Sequence, residues 1–295
     1  MFTVERMQVT YNHKKALDIT EPLTFQEGEK IGIIGANGAG KSTFIKSCLG
    51  LTAYQGSVIS GIKTDRMAVH MQSNHYTNSM SVQSIMELVS NTKVKTNQKL
   101  QELITFFDFE DSLKKKVKAL SGGQKQRLTL IMVLLQDAPL TFFDEVTTGL
   151  DFETRNQLVQ MLNEWFRHKK STICLVSHYF EELEQLVDKI LIFHEGRVVD
   201  FDSREALFHK YCGKAVIILD NNLENSDLTK EFPAISSPEH LIVLKCENGE
   251  IENAIISRLV QKDINFRRSN NDIEIMYINA LAAMKGGEDE REIIS

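Results

Sequence analysis

The stretch Lys30-Ile31-Gly32-Ile33-Ile34-Gly35-Ala36-Asn37-Gly38-Ala39-Gly40-Lys41-Ser42-Thr43 decides the fold. Its first five residues form a short apolar run, which reads as a buried strand. The glycines that follow let the backbone curl until several N–H groups point inward, where they can meet anionic oxygens. Residues 42–49 then read as a helix, whose positive N-terminal end adds to the same attraction. Strand, G-x-x-x-x-G-K-[ST] and helix in that order is the context in which such a loop cradles phosphate. Lys41 can reach the β- and γ-phosphates, and the Ser42 hydroxyl can ligate Mg²⁺. Gly35, Asn37, Gly38, Ala39, Gly40 and Thr43 complete the candidate phosphate contacts. Alone, the loop implies a nucleoside triphosphate site and nothing narrower.

Outward from the loop, elements alternate. Residues 2–4, 8–11 and 17–19 read as short strands before it. Residues 82–89, 100–107 and 128–135 carry apolar positions at helical spacing. Residues 140–143, 172–176 and 189–193 read as strands, with amphipathic helices over 152–168 and 179–187 between them. Strands alternating with helices predict a largely parallel α/β core. Composition shifts after about residue 205. Residues 221–238 are polar, carry two of the four prolines and read as a loop. Strands at 214–219 and 241–245, a turn at Asn248-Gly249 and helices over 251–260 and 272–284 are enough for a small α/β domain over 206–295. Residues 285–295 are charged and are expected to fray.

Composition narrows the functional class. The chain has 295 residues, 42% of them hydrophobic and 25% charged, as in an ordinary globular protein. Its net charge of -6 argues against general nucleic-acid binding, which needs a basic footprint. No stretch approaches the roughly 18 consecutive apolar residues of a membrane span. The first ten residues show no basic region followed by an apolar core, so no secretory signal is expected. Cys48, Cys174, Cys212 and Cys246 are scattered without C-x-x-C spacing, which reads as buried reduced thiols.

Two further motifs sharpen the reading. Leu140-Thr141-Phe142-Phe143-Asp144-Glu145 is an apolar strand ending in two carboxylates, and such strands open at their C-terminal ends onto the ligand crevice. Asp144 is placed to hold Mg²⁺ and Glu145 to orient and polarise an attacking water. Leu120-Ser121-Gly122-Gly123-Gln124-Lys125-Gln126-Arg127 puts a hydroxyl and approachable N–H groups at a helix start, a second anion site.

The last stretch matches the LSGGQ signature of ABC ATPases, and the resemblance covers residues 1 to about 205. It implies a P-loop NTPase fold with a RecA-like core, an antiparallel β subdomain and a helical subdomain. The small C-terminal domain lies beyond it. By the same resemblance Tyr11 stacks on adenine. Gln72 contacts Mg²⁺ and the attacking water. Asp151, in Gly149-Leu150-Asp151, belongs to a loop crossing the dimer interface, and His178 contacts the γ-phosphate. Ser121, Gly122, Gly123 and Gln124 cap ATP bound to a second ATP-binding subunit. Val146 stands where the family usually has proline, which would stiffen that turn.

The implied activity is ATP hydrolysis that drives a separate transmembrane permease from the cytoplasmic face of the membrane. The permease is expected to dock between residues 72 and 89, around Tyr76, Met80 and Val82. The loop-to-signature separation is too short for the coiled-coil chromosome-maintenance branch, and a single motif set argues against the tandem translation-factor branch. Residues 273–281 resemble the closing helix of bacterial exporters for drugs, antimicrobial peptides or lipids. An importer ATPase with a regulatory C-terminal domain, or a soluble ABC switch, remains the alternative.

Overall fold

The computed structural model describes residues 1–71 and 76–294, with side chains as far as residue 285. The chain opens with β1 (Phe2–Tyr11), β2 (Lys14–Ile19), β3 (Leu23–Phe25), β4 (Lys30–Ile34), α1 (Lys41–Cys48) and β5 (Gln55–Ser60). Then follow β6 (Met67–His70) and three helices, α2 (Val82–Ser90), α3 (Gln98–Phe106) and α4 (Gly122–Leu134). The chain alternates next through β7 (Leu140–Asp144), α5 (Phe152–Phe166), β8 (Thr172–Val176), α6 (Phe180–Leu186), β9 (Lys189–His194) and β10 (Arg197–Ser203). The C-terminal part comprises α7 (Arg204–Cys212), β11 (Ala215–Asp220), α8 (Leu228–Glu231), β12 (Ala234–Ile235), β13 (Leu241–Cys246), α9 (Gly249–Gln261), β14 (Arg267–Ser269) and α10 (Ile273–Ile294).

Strand pairing sorts these elements into three sheets. β4, β6, β7, β8 and β9 are mutually parallel in the order β9-β4-β8-β7-β6, and β10 adds an antiparallel edge beside β9. The central strands are buried along their whole length on both faces, which is why they read as continuous apolar runs rather than alternating ones. β1, β2, β3 and β5 form a separate antiparallel sheet. The expected strands at 2–4 and 8–11 are one ten-residue strand. Its pairing with β5 shifts register between Val4 and Arg6, and the bulge lets the exposed Glu5 and Arg6 sit within a continuous strand.

Two apolar cores sandwich the parallel sheet. On one face Phe2, Phe25, Phe44 and Phe193 join β1, β3, α1 and β9, with Phe44 and Phe193 ring centroids 5.4 Å apart. On the other face α2, α3 and α4 pack with α5 and α6, and the core continues into α7 and α10. The C-terminal sheet, in the order β12-β13-β11-β14, divides its side chains by the two-residue strand period. Val216, Ile218 and Val243 face the large core, whereas Ala215, Ile217, Leu219, Ile242 and Leu244 form a small core with Ile255 and Leu259 of α9.

Two expectations are corrected. Val82 is fully buried at the start of α2 and belongs to the core, so it cannot be part of a docking surface. Tyr76 and Met80 are half-buried against the same core, and the exposed apolar side chains of this region are Leu88 and Val89. The backbone of α10 continues through residues 285–294 rather than ending near 284. Gly286 and Gly287 weaken a helix individually, but Ala, Met, Lys, Glu and Arg around them are strong helix formers.

One buried polar cluster fixes how α5 and α6 approach. Arg155 on α5 lies with its Nε 3.7 Å from Glu182 Oε1 on α6, too long for a hydrogen bond. Its guanidinium stacks 3.5 Å over the Tyr179 ring, and it donates to the Leu150 carbonyl at 3.3 Å. The other Glu182 oxygen accepts the Ser177 hydroxyl at 2.7 Å. Burial is the largest influence on Glu182 and raises its pKa, while the nearby Thr147, the Ser177 hydroxyl and the charge of Arg155 act against that.

A carboxyl whose folded pKa is raised weakens the folded state as pH climbs past its unfolded value. Removing Arg155 should enlarge that shift. Arg155→Ala is therefore expected to cost about 2–3 kcal/mol of stability at pH 8 and less at pH 5, because a carboxyl with a raised pKa gains protons as the pH falls. Urea denaturation midpoints at the two pH values check this; an equal loss at both would contradict it.

Candidate functional site

The site lies at the C-terminal edge of the parallel sheet. β4 runs into Gly35, whose φ of +153° and position allow no side chain, because a Cβ there would sit 2.4 Å from the Phe193 carbonyl oxygen. The loop therefore hugs β9 before it climbs to α1. Gly40 precedes the first residue of α1 without any side-chain cap. The N–H groups of that first turn thus keep their capacity for an anion.

Lys41 is 6% exposed and folds back on its own loop, its Nζ donating to the Gly35 carbonyl at 2.6 Å and to the Ala36 carbonyl at 3.1 Å. Burial lowers its pKa first; the nearby Glu145 and Asp144 carboxylates oppose that. The Ser42 side chain lies near the Asp144 carboxylate and acts to lower its pKa, and Thr43 follows in the same turn, half-buried.

Asp144 ends β7 at 4% exposure, and burial raises its pKa. Its Oδ1 is buried without a hydrogen-bond partner. A buried lone pair left over beside a serine hydroxyl and an ammonium is costly in a complete site, and is what a hard cation with oxygen ligands would satisfy. Glu145 adopts a left-handed backbone at φ +55°, with its N–H tied to the Val176 carbonyl at 3.0 Å. That turn swings its carboxylate toward the next strand's end. Its Oε1 lies 2.9 Å from His178 Nε2, and its Oε2 accepts the Thr148 hydroxyl at 3.2 Å. Since a carboxylate only accepts, Nε2 carries the proton in this pair. Val146 packs into the large core, so this turn is anchored by burial rather than by a proline ring.

Tyr11 comes to the site through the first hairpin. With Lys14, Lys15, Ala16, Ala36, Asn37, Gly38, Ala39, His194, Glu195 and Gly196 it lines a cleft of about 750 Å³ beside the phosphate loop. Tyr11 is 47% exposed, so its ring face is open to a flat partner. A second cleft, near 520 Å³, lies at the opposite strand ends around Leu140 and Thr172 and is away from this chemistry.

Ser121 and Gln124 form a reciprocal capping box at the start of α4. Gln124 N–H donates to the Ser121 hydroxyl at 3.2 Å, and Ser121 N–H donates to Gln124 Oε1 at 3.1 Å. Gly122 faces solvent and Gly123 lies against α5, where a Cβ would meet Thr154 Cγ2 at 2.7 Å. Asp151 caps α5, accepting from the Thr154 N–H at 3.0 Å and its hydroxyl at 2.7 Å. The Ser121 and Asp151 turns are thus packed side by side. Among the described residues, no hydrogen bond joins the Ser121 turn to the phosphate loop of its own chain. Gln72 lies outside the described residues.

The sequence reading missed Thr148, Arg155, Ser177 and Glu182. Each is a common polar residue whose importance comes from a partner in another element, and no local spacing marks it.

Known proteins match this arrangement. The family described as ABC transporter matches residues 21–148. The tungstate uptake system ATP-binding protein TupC of Peptoclostridium acidaminophilum is 30% identical over 209 residues, covering 68% of this chain and 97% of its own. The Nod factor export ATP-binding protein I of Rhizobium sp. (strain N33) is 31% identical over 208 residues, 66% of this chain and 68% of its own. The methionine import ATP-binding protein MetN of Corynebacterium glutamicum is 28% identical over 232 residues, and the match spans 64% of that relative's length. Among solved structures, cbiO1 of Clostridium perfringens, described as part of the ABC transporter complex cbiONQ, superposes with a TM-score of 0.62 at 22% identity over 71% of this chain and 90% of that one. An ATP-binding cassette solved as a dimer with ADP and Pi gives 0.59 at 22% identity, over 69% and 98%. Identity of this order across nearly the whole of TupC, on a shared fold, means that the chain belongs to the ABC transporter family and is one of its ATP-binding, ATP-hydrolysing subunits.

Proposed function

We propose that two ATP-binding subunits, this chain and a copy or paralogue, clasp MgATP between them and power export through a separate permease at the cytoplasmic face of the membrane. The observation that carries the catalytic part is Glu145, held between His178 and Thr148 next to a buried, under-bonded Asp144 and the Lys41 loop.

The geometry and the family resemblance support these roles. Tyr11 stacks on the base at the mouth of the cleft. Lys41 exchanges the Gly35 and Ala36 carbonyls for phosphate oxygens, a favourable trade for a partly desolvated ammonium. Asp144 and Ser42 would hold Mg²⁺, which supplies charge neutralisation on the phosphates. Glu145 orients a water, and the His178 Nε2–H that now bonds its carboxylate is free to turn to the γ-phosphate. The solvent-facing Ser121 turn, unconnected to the phosphate loop of its own chain, supplies its hydroxyl and N–H groups to nucleotide on the partner subunit. The cassette solved as a dimer and the cbiONQ assembly support pairing and permease docking.

Direction is supported on both sides. The export reading rests on the closing-helix resemblance and on Nod factor export protein I; TupC and MetN favour uptake as the second reading. Among the described residues no helix is long and apolar enough to cross a membrane, so this reading assigns the membrane path to the permease. Reconstituting the chain with its permease in vesicles and following ATP-dependent movement of labelled substrate decides the direction.

Two outcomes are expected of the site. Glu145→Gln should retain ATP binding, slow phosphate release at least about a hundredfold and accumulate an ATP-dependent dimer by size-exclusion chromatography. Unchanged turnover would remove Glu145 from its role. Tyr11→Ala should weaken ATP binding about tenfold, as loss of a stacked base does, while Tyr11→Phe stays within about twofold of the parent chain. Equilibrium titration with a fluorescent ATP analogue measures both.

A further inference from the structure

The edge strand of the parallel sheet is tied to the helix that carries the Ser121 turn. β6 pairs with β7, placing His70 opposite Phe143, one residue short of Asp144. The two-residue strand period sends Met67 and Val69 to the core that holds β1 and α1, and Ala68 and His70 to the face covered by α4. His70 is fully buried there, and its Nε2 lies 3.0 Å from Gln126 Oε1. An amide oxygen only accepts, so Nε2 carries the proton and the ring donates. Its Nδ1 is buried without a hydrogen-bond partner. Gln126 stands two residues beyond Gln124, whose side chain closes the Ser121 capping box. Arg127, next along α4, donates to the Phe107 carbonyl at the end of α3 and to Gln157 Oε1 on α5, each at 3.1 Å. Gln126 instead joins the start of α4 to the parallel sheet.

A ring serving only to fill this space would do better as phenylalanine, which has no lone pair to leave unmatched in the core. What histidine adds is the donor to Gln126. We propose that His70 is a positioning residue: its bond to Gln126 fixes how the Ser121 turn stands relative to the Asp144 edge of its own sheet, and so how firmly this chain caps ATP held by a second copy. This rests on the reading of the Ser121 turn as the cap on a partner's nucleotide. Neither residue lines the Tyr11 cleft, and among the described residues no hydrogen bond joins either of them to residues 35–43. The effect therefore falls on the other copy's nucleotide rather than on the chain's own.

The test uses the full chain in a Glu145→Gln background. Dimer dissociation constants under saturating MgATP are measured by analytical ultracentrifugation. ATP affinity of the single chain is measured with a fluorescent analogue at protein concentrations too low for pairing, and thermal midpoints are recorded alongside. His70→Phe keeps the ring and removes the donor. Gln126→Leu breaks the same bond from α4 without altering the strand that leads to residue 72. Each is expected to raise the dimer dissociation constant about three- to tenfold, the span of one hydrogen bond, with single-chain ATP affinity within about twofold. The double variant is expected to stay within about twofold of the weaker single, since both remove one interaction. His70→Gln, whose amide can donate to Gln126, is expected to recover most of the loss. A role in packing alone would move the thermal midpoint and leave the dimer constant where it was. Dimer constants within about twofold of the Glu145→Gln chain for both single variants, losses that multiply in the double variant, or an equal fall in single-chain ATP affinity would overturn the proposal. Failure of the Glu145→Gln chain to pair at all under MgATP would instead sink the clasp between two copies on which it stands.

Discussion

The site depends on one backbone constraint: six residues must turn from a buried parallel strand into a helix while pressed against the neighbouring strand. At Gly35 the loop passes so close to the Phe193 carbonyl that only a hydrogen fits. Beneath it, Phe44 of α1 is buried against Phe193 and Phe25, so the helix that receives the loop cannot slide. The loop's shape is thus imposed from below by close packing, which leaves its N–H groups free for a ligand above. Adjacent strands deliver the acids, since β7 and β8 end at the same edge and set Glu145 against His178.

The charges at that edge are poised rather than satisfied. Lys41 rests on two carbonyls of its own loop, and Asp144 keeps one buried oxygen without a partner. Burial pulls the Lys41 pKa down and pushes the Asp144 pKa up, so both charged forms are disfavoured by their surroundings. Such a site gains when phosphate and cation arrive together, because each relieves the desolvation of its counterpart. Electrostatic groups fixed in advance need not reorganise during the reaction.

The loops above the sheet are connected by side chains of the second layer. Arg155 links the Leu150 carbonyl to Glu182 and Tyr179, and Glu182 links onward to Ser177, next to His178. These contacts join the Asp151 turn, which packs beside the Ser121 turn, to the strand end that carries His178. From the other side α10 leans on the same helix through Phe180 and Glu184. The C-terminal sheet shares one of its faces with the large core, so its state is physically continuous with the site.

The sequence by itself determined the parts whose physics is local. A strand, a glycine turn and a helix with lysine and serine at its start need only neighbouring residues to be recognised, and so do the carboxylates ending residues 140–145 and the Ser121 cap. The strand at 172–176 was legible to the residue because it is buried on both faces and reads as an unbroken apolar run. Tertiary structure alone decided the rest. It brought Tyr11 to the cleft, turned Val82 inward, paired Arg155 with Glu182, and set Tyr277 against Phe180 from the far end of the chain. Those partnerships depend on sheet order and helix packing. A polar or aromatic side chain carries no mark of which distant residue it will meet once the chain has collapsed around a common core.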